Sequence, residues 1–314
     1  MLTPIIRQNS SSNAPLVSVL LQTHNRPDMG ELALRSALSQ SYGNIEIVIS
    51  DNSDTDETQK RFQPYLESNP CIQYHRVPGL SALENGKNCF RNATGEYVNY
   101  LMDDDLFHPE KILRMMTYAL ASPKVGLVTS FRQLIDVNGN FMDPIAGTER
   151  LFSTETAIDG RSFGRMMLTN GQNLVGEPTT ALFRRDAVGE MFGFYGDQQY
   201  SVLSDVANWL AVLSRYDCVY LPDALSYFRL HGGQDQRNTD IKCRANIEWI
   251  ELLCEAIEQG VVFADRGGAE ELLSNKLVTC LWFLSSIREQ IRQSGDLPTR
   301  IQKIFQRASS ILFG

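Results

Sequence analysis

An excess of basic residues is missing from this chain. Lysine and arginine total 29 against 37 aspartates and glutamates, a formal net charge of −8. An acidic surface argues against nucleic acid as the main partner, but it leaves open a phosphorylated substrate held through a metal ion. Histidine is scarce: His24, His75, His108 and His231 are the whole set, and no two have metal-pair spacing. The six cysteines (Cys71, Cys89, Cys218, Cys243, Cys254, Cys280) form no C-x-x-C pair. They read as reduced thiols filling a core, the pattern of a cytoplasmic protein. No run approaches the roughly 18 apolar residues of a membrane span. The start, "MLTPIIRQNSSSNAP", lacks the basic segment and apolar core of a secretion signal. It is expected to be a flexible tail over residues 1–15. There is no G-x-G-x-x-G after a strand, which excludes a dinucleotide fold. The glycine-rich opening of sugar nucleotidyltransferases is also absent from "LLQTHNRP". Dehalogenase-type phosphatases need D-x-D-x-[TV] near the chain start. Here Phe107 stands at the last position, deep in the chain.

What is present is 314 residues, 43% of them hydrophobic, enough for one large domain or a domain with an appendage. The first third alternates between strand and helix periods. "LVSVLLQ" (16–22), "IEIVIS" (45–50), "CIQYHRV" (71–77) and "YVNYLM" (97–102) read as strands. Helical spacing marks residues 29–39, a segment from Asp54 or Thr55 to about Leu66, and "LSALENGKNCFRNA". This alternation predicts an α/β fold with a mostly parallel sheet and helices on both faces. A helix after Pro109 and a strand "VGLVTS" follow. From Phe131 the pattern turns irregular, with a hairpin expected around Asn138-Gly139. "EPTTALFRRDAV" reads as strand then helix, "SDVANWLAVLSRY" as helix, and "CVYLPDALSYFRLHGG" as two short strands ending in a glycine turn. Helices are expected over 243–259, 268–293 and 298–312.

Three adjacent aspartates, Asp103, Asp104 and Asp105, follow the strand "YVNYLM". Open parallel sheets bind ligands at the carboxyl ends of their strands. A solvated turn before a helix accounts for one aspartate there and poorly for three. Like charges in contact are stabilised by a cation, and oxygen donors select a hard ion such as Mg²⁺ or Mn²⁺ that keeps positions open for phosphates. Asp51 ends another strand; taken alone it reads as a turn or capping residue.

The pieces "VSVLLQTHNRP", "ALRSALSQSYGNIEIVISDNSDTDET", "GKN" (86–88) and "ATGEYVNYLMDDDLFHPEKI" resemble, in sequence and spacing, the nucleotide-sugar-binding half of a family-2 glycosyltransferase with the GT-A fold. The likeness extends more weakly through "GEPTTALFRRDA", "SDVANWL" and "ALSYFRLHGG", and stops near residue 235. The resemblance implies a nucleotide-sugar-binding half at 16–130, an acceptor-binding and catalytic half at 131–238, and a helical C-terminal extension at 239–314. It implies that Thr23, His24 and Asn25 cradle the nucleobase, His24 by stacking, and that Asp51 meets the base or ribose. Lys87 or Asn88 would face the nucleotide. Asp104 would be the principal metal ligand, with Asp103 toward ribose or metal. Asp105 would bind the metal or position the donor sugar, and His231 would lie near the metal and diphosphate with Arg229 close by. Many members carry an aspartate where this chain has Met102, which leaves open which neighbour of Asp104 shares the ion.

Inverting transfer needs a carboxylate that removes the acceptor proton. The resemblance places it at Asp205, at the start of a helix, where the dipole would keep it ionised. Glu177 lies where acceptor contacts occur, and Asp197 is the other carboxylate in range. The implied activity is a Mn²⁺- or Mg²⁺-dependent, inverting glycosyltransferase using a nucleotide diphosphate sugar, a UDP-sugar foremost. Without a Q-x-x-R-W sequence, single or few additions are expected, to a saccharide, lipid-linked or protein acceptor in surface polysaccharide, glycolipid or glycoprotein assembly. The rival is a catalytically silent binding or scaffolding protein on the same fold. In the last helix Ile301, Ile304, Phe305, Ala308, Ile311 and Leu312 form one stripe. It suits packing on its own domain, a homodimer through the C-terminal helices, or contact with the inner face of a membrane.

Overall fold

The computed structural model describes residues 14–189, 192–232 and 239–314. Apart from Ala14 and Pro15, the expected N-terminal tail lies outside the described residues, as does Gly233 of the expected glycine turn. The first half follows the sequence pattern closely: β1 (Val17–Thr23), α1 (Pro27–Leu38), β2 (Ile45–Asp51), α2 (Glu57–Ser68), β3 (Ile72–Arg76), α3 (Ala82–Asn92) and β4 (Tyr97–Met102). Then come β5 (Leu106–Phe107), α4 (Lys111–Ala119), β6 (Val125–Ile135) and β7 (Phe141–Met142), the last two closing the expected hairpin. β8 (Thr156–Ile158) and α5 (Gly160–Asn170) occupy the stretch that looked irregular. β9 (Leu182–Arg184) is followed by a three-residue 3-10 turn rather than the expected helix. A small hairpin, β10 (Phe194–Tyr195) with β11 (Gln198–Gln199), precedes α6 (Ser204–Leu213). The two strands expected near residue 220 are one strand, β12 (Asp217–Arg229), with register shifts around Leu221 to Ser226 that absorb Pro222. The chain ends in α7 (Thr239–Gln259), α8 (Arg266–Ser286), α9 (Arg288–Gln293) and α10 (Leu297–Phe313); the long helix expected over 268–293 breaks at Ile287.

Among the described residues ten strands form one sheet, with path β3-β2-β1-β4-β9-β6-β12-β5 and with β7 and β8 on its margin. β1 to β4 are mutually parallel, and β12 is parallel to β6. β9 lies antiparallel to both β4 and β6 and joins the two halves. Strand alternation divides the core. Val17, Val19 and Leu21 face one side with Leu34 of α1, Phe62 of α2 and Met115 of α4. Leu20, Val48 and Val98 face the other with Phe90 of α3, Phe163 of α5, Trp209 of α6 and much of α7 to α10. The cysteines fit this picture: Cys89, Cys218, Cys243, Cys254 and Cys280 are buried, and no disulfide forms among the described residues.

The stripe on α10 is spent inside the molecule. Ile304, Ala308 and Ile311 are buried, with Ile301, Phe305 and Leu312 packed beside them. Large apolar side chains left exposed in this region are Val278, Leu281 and Trp282 of α8 and Phe313. No helix among the described residues is long and apolar enough to cross a membrane.

Candidate active site

Three loops meet at the carboxyl ends of β1, β2 and β4. The parallel register aligns Thr23 with Asp51, and Gln22 with Met102. Beyond those ends Asp103 turns toward the β1 loop. Its Oδ2 accepts from Thr23 Oγ1 (3.0 Å) and the His24 N–H (3.2 Å), and its Oδ1 from Arg26 Nη1 (2.9 Å). Arg26 Nη1 also donates to Asp104 Oδ2 (3.0 Å), and His231 Nε2, just past β12, lies 2.9 Å from that same oxygen. Thus one oxygen of Asp104 is shared by a guanidinium and an imidazole, and two adjacent carboxylates are held together by one cation. Burial, and then the charge of Asp104, raise Asp103 above its ordinary range.

The β1 loop is fixed from behind. Asn25 takes a left-handed backbone, φ 54°. Asparagine tolerates that conformation, and here its side chain repays it with bonds to Asp54, donating to Oδ2 (2.7 Å) and accepting from the Asp54 N–H (3.0 Å). His24 Nδ1 lies 3.1 Å from the Asn52 carbonyl. Thr23, His24 and Asn25 therefore sit together beside the aspartates. Asp51 ends β2 next to them but is fully buried; its oxygens accept from the Ser53 N–H (2.8 Å) and the Tyr74 hydroxyl (2.5 Å). A nucleotide would reach Asp51 only if Tyr74 gave way.

Several expected residues are placed otherwise. The ligand set Asp104, Asp105 and His231 does not assemble: no group of three potential ligands forms among the described residues. Asp105 is fully buried and turned away, its Oδ2 accepting from Thr179 Oγ1 (2.6 Å) and its Oδ1 from the Arg229 N–H (3.0 Å). Burial and the neighbouring Asp104 push it well above the usual carboxylate range. It anchors the turn instead of facing a donor. Arg229 braces the same turn, donating through Nε to the Asp104 carbonyl (2.8 Å). Asn88 points to the sheet, with Nδ2 on Ser50 Oγ (2.8 Å). Lys87, one position earlier, faces a cavity, with Nζ on Glu84 Oε1 at 2.7 Å.

That cavity, about 330 Å³, is where the two halves meet. Gln22 and Met102 from the strand ends line it, as do Gly86 and Lys87 of α3 and Tyr100. Ser201, Val202, Ser204 and Asp205 close the far wall. Asp205 accepts from Asn173 Nδ2 (2.8 Å) and from the Val206 N–H (2.7 Å). The helix terminus was expected to keep this carboxyl readily ionised. Burial outweighs that effect, Glu177 adds like charge, and Asp205 is pushed up to about 7. Glu177 itself pairs with Arg132 at 2.6 Å and stands behind the wall. Asp197 is exposed in the β10–β11 turn and does not line the cavity.

Sequence reading passed over Arg26 and Asn173. Arg26 stood in the quoted "THNRP" and, as the nearest cation to the aspartates, could have been assigned. Asn173 lies in the stretch without periodicity and gave no signal.

A carboxylate poised near neutrality, across a cavity from the strand end that leads into the clustered aspartates, suits a transfer reaction, and the chain's likenesses point the same way. Residues 18–192 match the family model described as Glycosyl transferase family 2. An Escherichia coli protein, UDP-Glc:alpha-D-GlcNAc-diphosphoundecaprenol beta-1,3-glucosyltransferase WfaP, is 35% identical over 226 residues, 71% of this chain and 80% of WfaP. Against two further curated relatives the matched stretch spans 30% and 32% of their lengths. The structure of S. aureus TarS 1-349 in complex with UDP-GlcNAc aligns with TM-score 0.66 at 14% identity, over 94% of this chain and 82% of that one. The mannosyltransferase PcManGT from Pyrobaculum calidifontis, in complex with GDP-Man and Mn²⁺, aligns with TM-score 0.54 at 16% identity, over 96% and 88%. These structures establish the shared fold, which is the expected GT-A architecture with a helical C-terminal region. With a family model covering more than half the chain and a relative matched over most of its length, this protein is a glycosyltransferase belonging to glycosyl transferase family 2.

Proposed function

We propose that this glycosyltransferase is metal-dependent and inverting, and that it takes a sugar from a nucleotide diphosphate sugar, a UDP-sugar foremost. The observation that carries the reading is the single cavity running from the ends of β1 and β4 to Asp205. Thr23, His24 and Asn25 hold the nucleotide beside Asp103. Asp104 and His231, meeting at 2.9 Å, are an oxygen and a nitrogen donor that fit a hard divalent ion whose remaining positions go to phosphates. Mn²⁺ or Mg²⁺ held there would offset the charge of the departing diphosphate. Arg26, already on both carboxylates, supplies positive charge at the same point. Asp205 accepts the acceptor hydroxyl's proton from across the cavity, and a pKa near the working pH is what a general base needs. The name of WfaP supports a UDP-sugar and an acceptor carried on a lipid diphosphate, in keeping with surface polysaccharide assembly.

The test couples binding to turnover. UDP with Mn²⁺ should raise thermal stability more than either alone, by about 2.7 kcal/mol at 100 times the dissociation constant. Asp104→Ala should lose the metal-dependent part of that shift. Asp205→Asn should keep the shift and lose turnover by about 10²–10⁴-fold. No stabilisation by any nucleoside diphosphate across several metals would refute the donor assignment. Normal turnover by Asp205→Asn would remove Asp205 as the base.

A further inference from the structure

The turn that delivers Asp205 is held from the C-terminal extension. Glu248 of α7 is fully buried. Its Oε1 accepts from the Ser201 N–H (3.2 Å) and the Ser201 hydroxyl (2.9 Å), and its Oε2 from the N–H groups of Val202 (2.9 Å) and Leu203 (2.7 Å). Arg300 of α10 donates to Glu248 Oε1 (3.1 Å) and, through Nε and Nη2, to both oxygens of Glu251 (2.9 and 2.6 Å). A buried carboxylate is costly unless paired and fully hydrogen-bonded, and this one is both. All four of its bonds to the neighbouring segment fall on Ser201, Val202 and Leu203, the residues directly ahead of α6.

α6 has no cap of its own. Its N-cap residue is Leu203, which offers no side-chain acceptor. From a distant helix, Glu248 accepts the N–H of the N-cap residue and of the two residues before it, and places negative charge at the positive end of the helix. The carboxyl of Asp205 rests on the Val206 N–H, a group of that same first turn, and on Asn173. Where the first turn goes, Asp205 goes. The body of α6 is secured separately, by buried Trp209, Leu210 and Leu213 and by Trp209 Nε1 on the Gly176 carbonyl (3.0 Å). Loosening the clamp therefore moves the first turn without unseating the helix.

We propose that Glu248, braced by Arg300, is a positioning residue for glycosyl transfer: it fixes the start of α6 so that Asp205 meets the acceptor, which makes the C-terminal helices part of the catalytic apparatus. The proposal rests on the reading of Asp205 as the base. A misplacement of 1 Å is enough to cost about 10²-fold in rate, so a clamp two residues from the base acts on turnover before it acts on folding.

The full-length chain is assayed by UDP release, in Mn²⁺, from whichever of UDP-glucose and UDP-N-acetylglucosamine the parent consumes. Glu248→Gln, Arg300→Met, Arg300→Lys and Ser201→Ala are compared with Asp205→Asn, with folding followed by circular dichroism and donor affinity by calorimetry. Expected for Glu248→Gln and Arg300→Met is a loss of about tenfold or more in kcat with donor affinity near that of the parent. The midpoint of the pH–rate profile should fall as Asp205 becomes more hydrated. Arg300→Lys should recover part of the loss, since an ammonium can still reach Glu248. A purely structural role would lower thermal stability and leave kcat of the folded protein and its pH midpoint where they were; that result overturns the proposal. If Glu248→Gln fails to fold, Arg300→Met and Ser201→Ala decide, since both keep the carboxylate in place. Asp205→Asn separates the two claims. Its normal turnover refutes the base itself, while its loss of turnover beside a normal Arg300→Met refutes the clamp alone.

Discussion

At the scale of single residues, Asp205 is held where its ionised form is disfavoured. Its folded pKa, about 7, lies above the ordinary carboxylate value. A carboxyl raised on folding stabilises the native state below its ordinary pKa, and that contribution is lost as pH rises through about 7. Activity runs the other way, because only the ionised form takes a proton. Turnover should climb with pH to a plateau above about 7, while stability falls over the same window. The charged groups around it are Glu177, paired with Arg132, and Lys87, paired with Glu84. Asp205→Asn removes the titration. It should match the parent's melting temperature near pH 4 and exceed it at pH 8; equal melting temperatures at both would contradict the shift. The same scale shows why the sequence was readable only in part. That aspartates crowded at a strand end would gather positive charge could be inferred from charge alone, and Arg26 lies on Asp103 and Asp104. That Asp105 would turn inward could not, because its partners, Thr179 and the Arg229 N–H, come from segments far away in sequence. Lys87 and Asn88 are adjacent, and about 100° of helix rotation sends one to the cavity and the other to β2.

At the scale of elements, what was legible had an unbroken period. β1 to β4 and α1 to α4 announce themselves by alternation and by 3.6-residue spacing. α5 does not, because two glycines interrupt it. They serve proximity. A Cβ on Gly160 would lie 1.9 Å from the Tyr216 carbonyl oxygen, and one on Gly164 would press on Leu210 at 3.2 Å. Gly160 opens α5 against the start of β12, and its N–H meets Asp217 Oδ1 at 3.1 Å. Gly160→Ala should therefore destabilise by about 1–3 kcal/mol, the usual range for overpacking, as read by urea denaturation. Gly295→Ala meets nothing within 4 Å and should change stability by less than about 0.5 kcal/mol. β12 misled for the converse reason. Pro222 suggests a break, but the strand carries it through a shift in register against β6.

At the scale of the whole molecule, the C-terminal extension is not a separable unit. Ile247, Leu252 and Leu253 of α7 and Ile304 of α10 share one core with Phe183 of β9 and Trp209 of α6. The resemblance that made the first half readable stops before this region, and an amphipathic stripe does not name its partner. Arg300 and Arg307 name it here: they reach Glu248 and Glu251, and Glu255 and Glu258, all on α7. Calorimetry of the full chain should give one cooperative transition. A chain ended before α7 should expose that core and aggregate. Two resolved transitions, or a soluble folded fragment, would show that the extension folds independently.

The place of β9 bears on how the chain is made. Three residues, Leu182–Arg184, fill the gap between β4 and β6 and pair with both. During synthesis β4 and β6 emerge well before them, β4 with one edge lacking its partner and β6 with both main neighbours, β9 and β12, still to come. Such edges recruit other chains as readily as their own. For β4 the exposed interval closes when a short, late strand slots between two early ones; for β6 it closes only when β12 covers its other edge.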